Sequence, residues 1–479
     1  MRILKNYIYN LSYQLFLIIL PIITLPYVSR ILGPEGIGIN SFASSQMSYF
    51  LMVAVLGTAT YGQRQIALAR NSPKKLNEVF WSIEILSILV TGISFVLMLI
   101  TAELQPKYAS ILSIYSIAVF ANIFDVSWLL AGLEKFNILA ARNFIIKIIS
   151  VASIFIFVKH ESDMWIYITI NAVTPLISNL SLIPYLKKVW PISNPIRLID
   201  SLRHLPGTLV FFVPQVAISL YTIFNKVEMG WLNQVQAVGY FDNSDKIVRL
   251  SFTVLMASSA VVLPVLTQKI RDKNFEVVQK YINLSMQFSL LIVGLMVLGI
   301  YMTAPMIVSI LMGRGFEPVI QVMRIQVFML IPMGIANVIG NQYFVPANKM
   351  KQLNSTILFA SLFNVVISFP LLLLMEQRGA AILILMSETL VALLQVLQIK
   401  REFPLNKLFY GTYKLFFAFI ASLFLGLFVQ QLVTTKYWNE IASVIIVVIT
   451  YLGLLIVMKY PGLIFIVKKI QDKVSNCKD

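Results

Sequence analysis

The sequence has little of what soluble proteins use to fold or to catalyse. Only 12% of its 479 residues are charged, about half the share of a soluble domain, and 58% are hydrophobic. Its one cysteine, Cys477, cannot close an intrachain disulfide, and two distant histidines, His160 and His204, do not predict a metal site. Walker A and Rossmann glycine patterns are missing, so we expect no bound cofactor or metal. The composition excludes an ordinary soluble enzyme, a secreted disulfide scaffold and a disordered chain.

Long apolar runs recur along the whole chain, separated by short charged clusters. A helix needs about 20 apolar residues to cross the hydrocarbon core of a membrane. The runs therefore predict an all-α polytopic membrane protein with about fourteen transmembrane helices and short loops. The predicted spans are 8–28, 37–59, 80–101, 109–131, 144–158, 165–186, 208–230, 238–266, 282–304, 319–341, 355–375, 381–399, 411–432 and 440–458.

Basic residues outnumber acidic ones, and the formal net charge is +17. With both termini placed in the cytoplasm, 27 of the 38 basic residues fall on the cytoplasmic side, 6 on the opposite side and 5 inside spans. That split follows the positive-inside rule and supports an even number of spans. The excess charge therefore predicts orientation in a bacterial cytoplasmic membrane rather than a nucleic-acid partner.

Two pairs of short segments suggest an internal repeat. Gly38 and Gly239 open the second and eighth spans in similar surroundings, and 128–135 resembles 343–351 in closing the fourth and tenth. Six spans separate the members of each pair, so the repeats run parallel, as in transporters. We predict two six-helix bundles, followed by two extra helices with a basic tail. Their ranges are 1–205, 206–405 and 406–479.

Several basic residues lie in or beside the spans, where charge is costly and points to function. We predict that they bind an anionic substrate, because arginine holds phosphate oxygens with two parallel hydrogen bonds. The alternative is that Asp242 pairs with Lys246, and Asp245 with Arg249, at helical i,i+4 spacing. The candidate substrate-binding residues are Arg30, Lys226, Lys246, Arg249 and Arg324.

Two carboxylates stand apart in the spans, Asp125 in the fourth and Glu388 in the twelfth. A buried carboxylate can carry a proton through a transport cycle. We predict these two as ion-coupling candidates. The alternative for Asp125 is a hydrogen bond to Asn122 or to a neighbouring helix. Glu84, near the cytoplasmic end of the third span, is interpreted as structural.

Three segments resemble signatures of polysaccharide-repeat-unit flippases of the Wzx type. Tyr27-Val28-Ser29-Arg30-Ile31-Leu32-Gly33-Pro34-Glu35-Gly36 looks like their first-loop signature. Val238-Gly239-Tyr240 with Lys246-Ile247-Val248-Arg249 resembles their eighth-span entrance, and Pro346-Ala347-Asn348-Lys349-Met350-Lys351 their span-ten exit. The resemblance covers essentially the whole chain. These flippases share a superfamily with multidrug exporters and lipid II flippases.

The resemblance implies a flippase that moves undecaprenyl-pyrophosphate-linked oligosaccharides to the outer leaflet for capsule, O-antigen or exopolysaccharide assembly. It implies alternating access through a cationic cavity between two bundles, driven by a proton or sodium gradient. Arg30 matches the family's signature arginine, and Lys246 and Arg249 match its eighth-span basic positions. The implied partners are the lipid-linked substrate, membrane lipid, and polysaccharide polymerase and chain-length machinery.

Two other functions stay open. A multidrug exporter of the same superfamily would favour acidic and aromatic cavity residues, whereas this chain is rich in cations. A membrane enzyme of polysaccharide assembly usually carries a long extramembrane loop with catalytic residues, and the predicted loops are short. We therefore expect a transporter rather than an enzyme.

Overall fold

The computed structural model describes residues 2–189, 197–432 and 437–464, and every regular element in them is a helix. Eleven of these helices are long and apolar enough to cross a membrane. The predicted all-α, multi-pass architecture is therefore confirmed. Helices are expected because backbone N–H and C=O groups must bond within their own segment where no water is available.

Contacts divide the chain into two units, Met1–Gly239 and Tyr240–Asp479. The predicted boundaries at 205/206 and 405/406 stay predictions. The first unit contains ten α-helices, α1 to α10: Arg2–Val55, Thr58–Ala69, Pro73–Glu103, Ala109–Phe120, Ser127–Gly132, Phe136–Phe157, Met164–Leu180, Leu198–Leu202, Leu205–Thr222 and Phe224–Trp231.

Helix α11, Val235–Arg271, begins in the first unit and continues into the second. The second unit also contains α12 to α18: Phe275–Leu311, Pro318–Gln326, Leu330–Ala336, Met350–Ile399, Leu405–Leu408, Thr412–Leu432 and Trp438–Val457. A π-helix, Asn337–Phe344, follows α14. The closing pair α17 and α18 packs against α12 through a core that includes Met302, Tyr451 and Leu455.

Two helices contain a sharp kink where the prediction has a loop between spans. In α1 the backbone leaves the helical region at Gly33, with φ 65°, and in α15 it does so at Glu376, with φ 47°. Each of these helices counts once among the eleven, although each covers two predicted spans. Helix α11, predicted as the eighth span, lies outside the eleven. The figure of fourteen stays a prediction.

The repeat glycines lie against each other at a helix crossing inside the first unit. A Cβ atom on Gly239 would lie 2.8 Å from the Pro34 carbonyl oxygen and 2.9 Å from the Gly38 nitrogen. A Cβ on Gly38 would collide with the Val235 carbonyl group. Both repeat positions therefore require glycine because two backbones approach too closely for any side chain.

The second repeat pair forms the same turn in each unit. Lys135 N–H donates to the Leu130 carbonyl at 2.8 Å, and Lys349 N–H donates to the Phe344 carbonyl at 2.8 Å. The preceding residues, Glu134 and Asn348, both adopt left-handed backbone, with φ 59° and 57°. This six-residue hydrogen bond is the usual way to close a helix end. The matching turns support the parallel repeat.

His204, just before α9, gives the first unit a pH-dependent contact. Its Nδ1 lies 2.9 Å from the Tyr61 hydroxyl, and partial burial lowers the pKa of the imidazole. The unfolded chain therefore binds a proton more readily than the folded chain, so stability falls as pH drops below about 6.5. The loss stops once pH passes below the folded-state pKa.

We expect His204→Gln to flatten this part of the profile of melting temperature between pH 8 and pH 5. His160→Gln, which keeps the Tyr61 contact, should retain the wild-type slope. An unchanged slope in His204→Gln would show that the pH dependence arises elsewhere.

Candidate functional site

The first half of α11 carries two ion pairs that lie one helical turn apart in the second unit. Lys246 Nζ lies 2.6 Å from Asp242 Oδ2, and Arg249 Nε donates to Asp245 Oδ1 at 2.8 Å. Both carboxylates are buried, whereas the Lys246 and Arg249 side chains are 45% and 30% exposed. The i,i+4 pairing predicted as the alternative is therefore present. Each pair therefore consists of a buried carboxylate and a partly exposed cation.

Glu388, on the second half of α15, joins the second of these pairs. It is buried, and its carboxylate interacts electrostatically with both Arg249 and Asp245. The Arg249 guanidinium thus pairs with Asp245 and interacts electrostatically with a second carboxylate from another helix. We name Asp245, Arg249 and Glu388 the α11–α15 triad.

Formal charges in this region nearly cancel. Asp242 and Lys246 neutralise each other, and the α11–α15 triad carries one negative charge when all three groups are ionised. An anion that approaches Arg249 would therefore be repelled by ionised carboxylates, and this repulsion is relieved when a carboxylate moves away or is neutralised by a proton or a metal cation. This arrangement is chemically suited to exchange one anion for another.

Arg324, at the end of α13, is held by an aromatic ring of α12. Its guanidinium carbon lies 5.0 Å from the centre of the Tyr301 ring, and its Nε donates to the Tyr301 carbonyl at 3.4 Å. A cation over an aromatic face is stabilised by the negative charge of the π system. The contact fixes the arginine while leaving it positively charged.

Arg30 and Lys226 belong to the first unit. Arg30 lies three residues before the kink at Gly33 and is exposed, while Lys226 is half-buried at the start of α10. Helix α10 begins where α9 ends, at Ile223, and packs against α1. Both cations therefore lie beside irregular backbone, where ligand groups commonly bind in transport proteins.

Asp125 lies in a break of the fourth predicted span. The helix ends in a 3₁₀ turn, Ala121–Phe124, and Asp125 is extended before α5 begins. Its Oδ1 accepts a hydrogen bond at 3.0 Å from the N–H of Ser127, the first residue of α5, two positions farther along the chain. Asn122 donates to the Thr91 hydroxyl at 2.8 Å rather than to Asp125. The ion-coupling role of Asp125 stays a prediction.

Glu84, which the sequence alone led us to interpret as structural, is a buried carboxylate. It is 5% exposed on α3, its Oε2 has no hydrogen-bond partner among the described residues, and its charge interacts with that of Asp125. A polar pattern in the sequence could have identified Glu84 as a candidate functional residue. Ser87 and Thr91 follow Glu84 at i+3 and i+7, so the three form one polar face of an otherwise apolar helix.

A cluster of amide side chains in the π-helix was also not predicted from the sequence. The amides of Asn337 and Gln342 both donate to the Ser259 hydroxyl, at 2.6 and 2.8 Å, and Asn341 donates to Asn337 at 2.8 Å. The π-helix allows this convergence, because its wider turn brings residues five apart onto one face. Short π-helical segments frequently accompany functional sites.

The sequence of this chain is similar to those of known proteins. A profile of the family described as "Polysaccharide biosynthesis protein" matches residues 3–270. A protein of Escherichia coli (strain K12) named "Putative O-antigen transporter" is 26% identical over 405 residues, which are 83% of this chain and 97% of the relative. A protein of the same name from Shigella dysenteriae is 23% identical over 79% of this chain and 96% of its own length.

Solved structures show the same fold. One titled "Lipid II flippase MurJ, inward closed conformation" matches with a TM-score of 0.75 at 15% identity, covering 94% of this chain and 98% of its own. An inward-facing multidrug resistance MATE family transporter of the MOP superfamily matches with a TM-score of 0.60 at 17% identity. That match covers 80% of this chain and 94% of the transporter.

Proposed function

Because the chain belongs to the polysaccharide biosynthesis protein family, we propose that it is a flippase for lipid-linked oligosaccharide repeat units. One observation carries this proposal: the chain matches 97% of the length of a relative named as an O-antigen transporter. The substrate would be an undecaprenyl-pyrophosphate-linked unit that crosses from the cytoplasmic to the outer leaflet. The protein would act as a transporter in the bacterial cytoplasmic membrane, with both termini in the cytoplasm.

The physical problem of such a reaction is the sugar headgroup. Each hydroxyl that loses its hydrogen bonds in hydrocarbon costs several kcal/mol, so the headgroup needs a polar path. The apolar lipid tail can stay in the bilayer. The pyrophosphate and any acidic sugars need cations that are exposed to the path. We propose that the five candidates, Arg30, Lys226, Lys246, Arg249 and Arg324, supply them.

The α11–α15 triad suggests how transport is coupled to an ion. A pyrophosphate that binds Arg249 would displace a carboxylate of Asp245 or Glu388. The displaced group is then stabilised by a proton or a sodium ion, so substrate and ion bind to different states of one site. A ligand that binds two states unequally shifts the balance between them. We propose Glu388, with Asp125 as the candidate in the first unit, as the residue that takes up the ion.

We expect Arg30→Gln to lower transport at least about tenfold without loss of folded protein, because Arg30 is exposed and a hydrogen bond to a charged group contributes about 1.5–3 kcal/mol. The measurement is leaflet transfer of a fluorescent lipid-linked oligosaccharide in vesicles reconstituted with the purified chain. Arg378→Gln is the matched control, since Arg378 is an exposed arginine on the same predicted non-cytoplasmic side as Arg30.

Three results would contradict the proposal. The first is absence of leaflet transfer by the wild-type chain, and the second is normal transfer by Arg30→Gln. The third is efflux of cationic drugs from the same vesicles without lipid transfer, which would favour the multidrug exporter. Release of a cleaved sugar product would favour the membrane enzyme.

A further inference from the structure

A cavity of about 490 Å³ lies in the first unit, between the start of α6 and the residues that directly follow α7. Polar groups of Asn137, Arg142, Ser181 and Tyr185 line part of it. The volume lies within the range of about 300–1,000 Å³ that small-molecule sites occupy. None of these residues belongs to the five candidate substrate-binding residues or to the α11–α15 triad.

Arg142 is held in position at this cavity by its own neighbours. Its Nη1 donates to the Ser178 carbonyl at 2.9 Å, and its Nε and Nη2 donate to Asn143 Oδ1 at 3.0 and 2.6 Å. A guanidinium already fixed in this way loses little side-chain entropy when an anion binds. Among the described residues that line the cavity, none is acidic.

The rest of the cavity wall is apolar, and so is the surface around it. Ile138, Ala141, Ile145, Ile146 and Leu182 complete the lining. Farther along α6, Ile149 is 58% exposed. A large exposed apolar surface on a membrane helix faces lipid chains rather than water. The cavity therefore combines the positioned guanidinium of Arg142 with an apolar wall that is suited to contact lipid chains.

The cavity lies near the predicted cytoplasmic end of α6. Arg142 is six residues from the start of α6 at Phe136, which places it about 9 Å along the helix axis. An arginine this close to the end of a membrane-crossing helix can extend its side chain to the lipid headgroups. Lys135 precedes α6 and Lys187 follows α7, so both helix ends lie on the predicted cytoplasmic side.

We propose that this cavity binds one anionic glycerophospholipid of the cytoplasmic leaflet, with its phosphate on Arg142 and an acyl chain along the isoleucine wall. The cytoplasmic leaflet carries the negative surface potential of a cell membrane, and basic pockets between helices on that side bind anionic headgroups. Asn137, Ser181 and Tyr185 supply hydrogen-bonding groups for the glycerol or sugar portion of the headgroup. The site is separate from the five transport cations and does not depend on the proposed function.

The test is a binding titration of the purified full chain in detergent with dioctanoyl phosphatidylglycerol. Arg142→Gln should weaken binding at least about tenfold, because the charge-assisted hydrogen bonds to phosphate are lost. Ala141→Phe should weaken it as well, since the added ring fills the cavity while Arg142 keeps its charge. Arg203→Gln is the matched control, because Arg203 is exposed at the same predicted side of the same unit.

Each alternative ligand gives a distinct result. Equal binding of dioctanoyl phosphatidylcholine would overturn the role of net negative charge. Displacement by inorganic phosphate at the concentration of the lipid would show that the chains contribute nothing. Binding of undecaprenyl phosphate in preference to phosphatidylglycerol would replace the proposed lipid with an isoprenoid. If Arg142→Gln fails to fold, wild-type affinity in Ala141→Phe would still overturn the proposal, and leaflet transfer, measured separately, would not be affected.

Discussion

Replacing Gly38 with alanine is expected to remove most of the folded protein. The new Cβ would collide with the Val235 carbonyl oxygen, and it would lie 2.7 Å from the carbonyl carbon and 3.1 Å from Val235 Cγ1. Overpacking normally costs about 1–3 kcal/mol, and relief here needs a shift of backbone rather than of a flexible side chain. Gly239→Ala should behave in the same way, because its Cβ would meet the backbone of Pro34 and Gly38.

The measurement is the yield of monodisperse protein after mild solubilisation, together with its melting temperature. Gly92→Ala is the matched control in the same unit. A Cβ at this position of α3 has nothing within 4 Å, and alanine is favoured over glycine in a helix by about 1 kcal/mol. Gly38→Ala protein as stable as the Gly92→Ala variant would show that the helix crossing is looser than described.

Replacing Arg249 with glutamine should likewise reduce folded protein sharply, and it should abolish transport. The change leaves Asp245 and Glu388, both 5% exposed, without the cation that faces them. Removing one partner of a buried ion pair costs about 3–5 kcal/mol, because the remaining charge stays buried. Arg203→Gln is the control for folding. Its pair with Asp200 is exposed at both ends, 76% at the arginine and 40% at the aspartate, so the cost should stay below about 1 kcal/mol.

A double variant tests whether Arg249→Gln loses folded protein because a buried carboxylate is left without its counter-ion. Arg249→Gln combined with Glu388→Gln restores the formal charge of the α11–α15 triad to that of the wild type. We expect the double variant to recover folded protein and to remain inactive in leaflet transfer. Recovery of both would show that Arg249 only neutralises carboxylates and that another cation binds the substrate.

Interactions within one helix could be predicted from the sequence, because helical geometry alone determines them. Asp242 with Lys246 and Asp245 with Arg249 are four residues apart, and both pairs are present. The positions of the apolar helices were predictable for a similar reason, since the thickness of a bilayer sets their length. The glycine repeat was visible as a pattern, although its cause, a backbone contact between Gly38 and Val235, was not.

Interactions between helices distant in the chain were not predictable. Glu388 interacts electrostatically with Arg249 from a different helix, and no periodicity connects residues so far apart. Asp125 looked like a lone carboxylate because the break at Ala121–Phe124 interrupts the helical pattern by which its neighbours would be placed. Its interaction with Glu84 could therefore be recognised only in the three-dimensional structure. Likewise, Asn337 and Gln342 both reach Ser259 because they lie in a π-helix, and no residue pattern predicts a π-helix here.

The pairing inside α11 has a consequence for how the protein is made. A charged side chain at the centre of a membrane helix costs about 2.5–3.5 kcal/mol during insertion. Because Lys246 and Arg249 each have a counter-ion on the same helix, this cost can be reduced as soon as α11 has left the ribosome. Glu388 emerges much later and enters a membrane that already contains Arg249. The order of synthesis therefore delivers the cation before the buried carboxylate that depends on it.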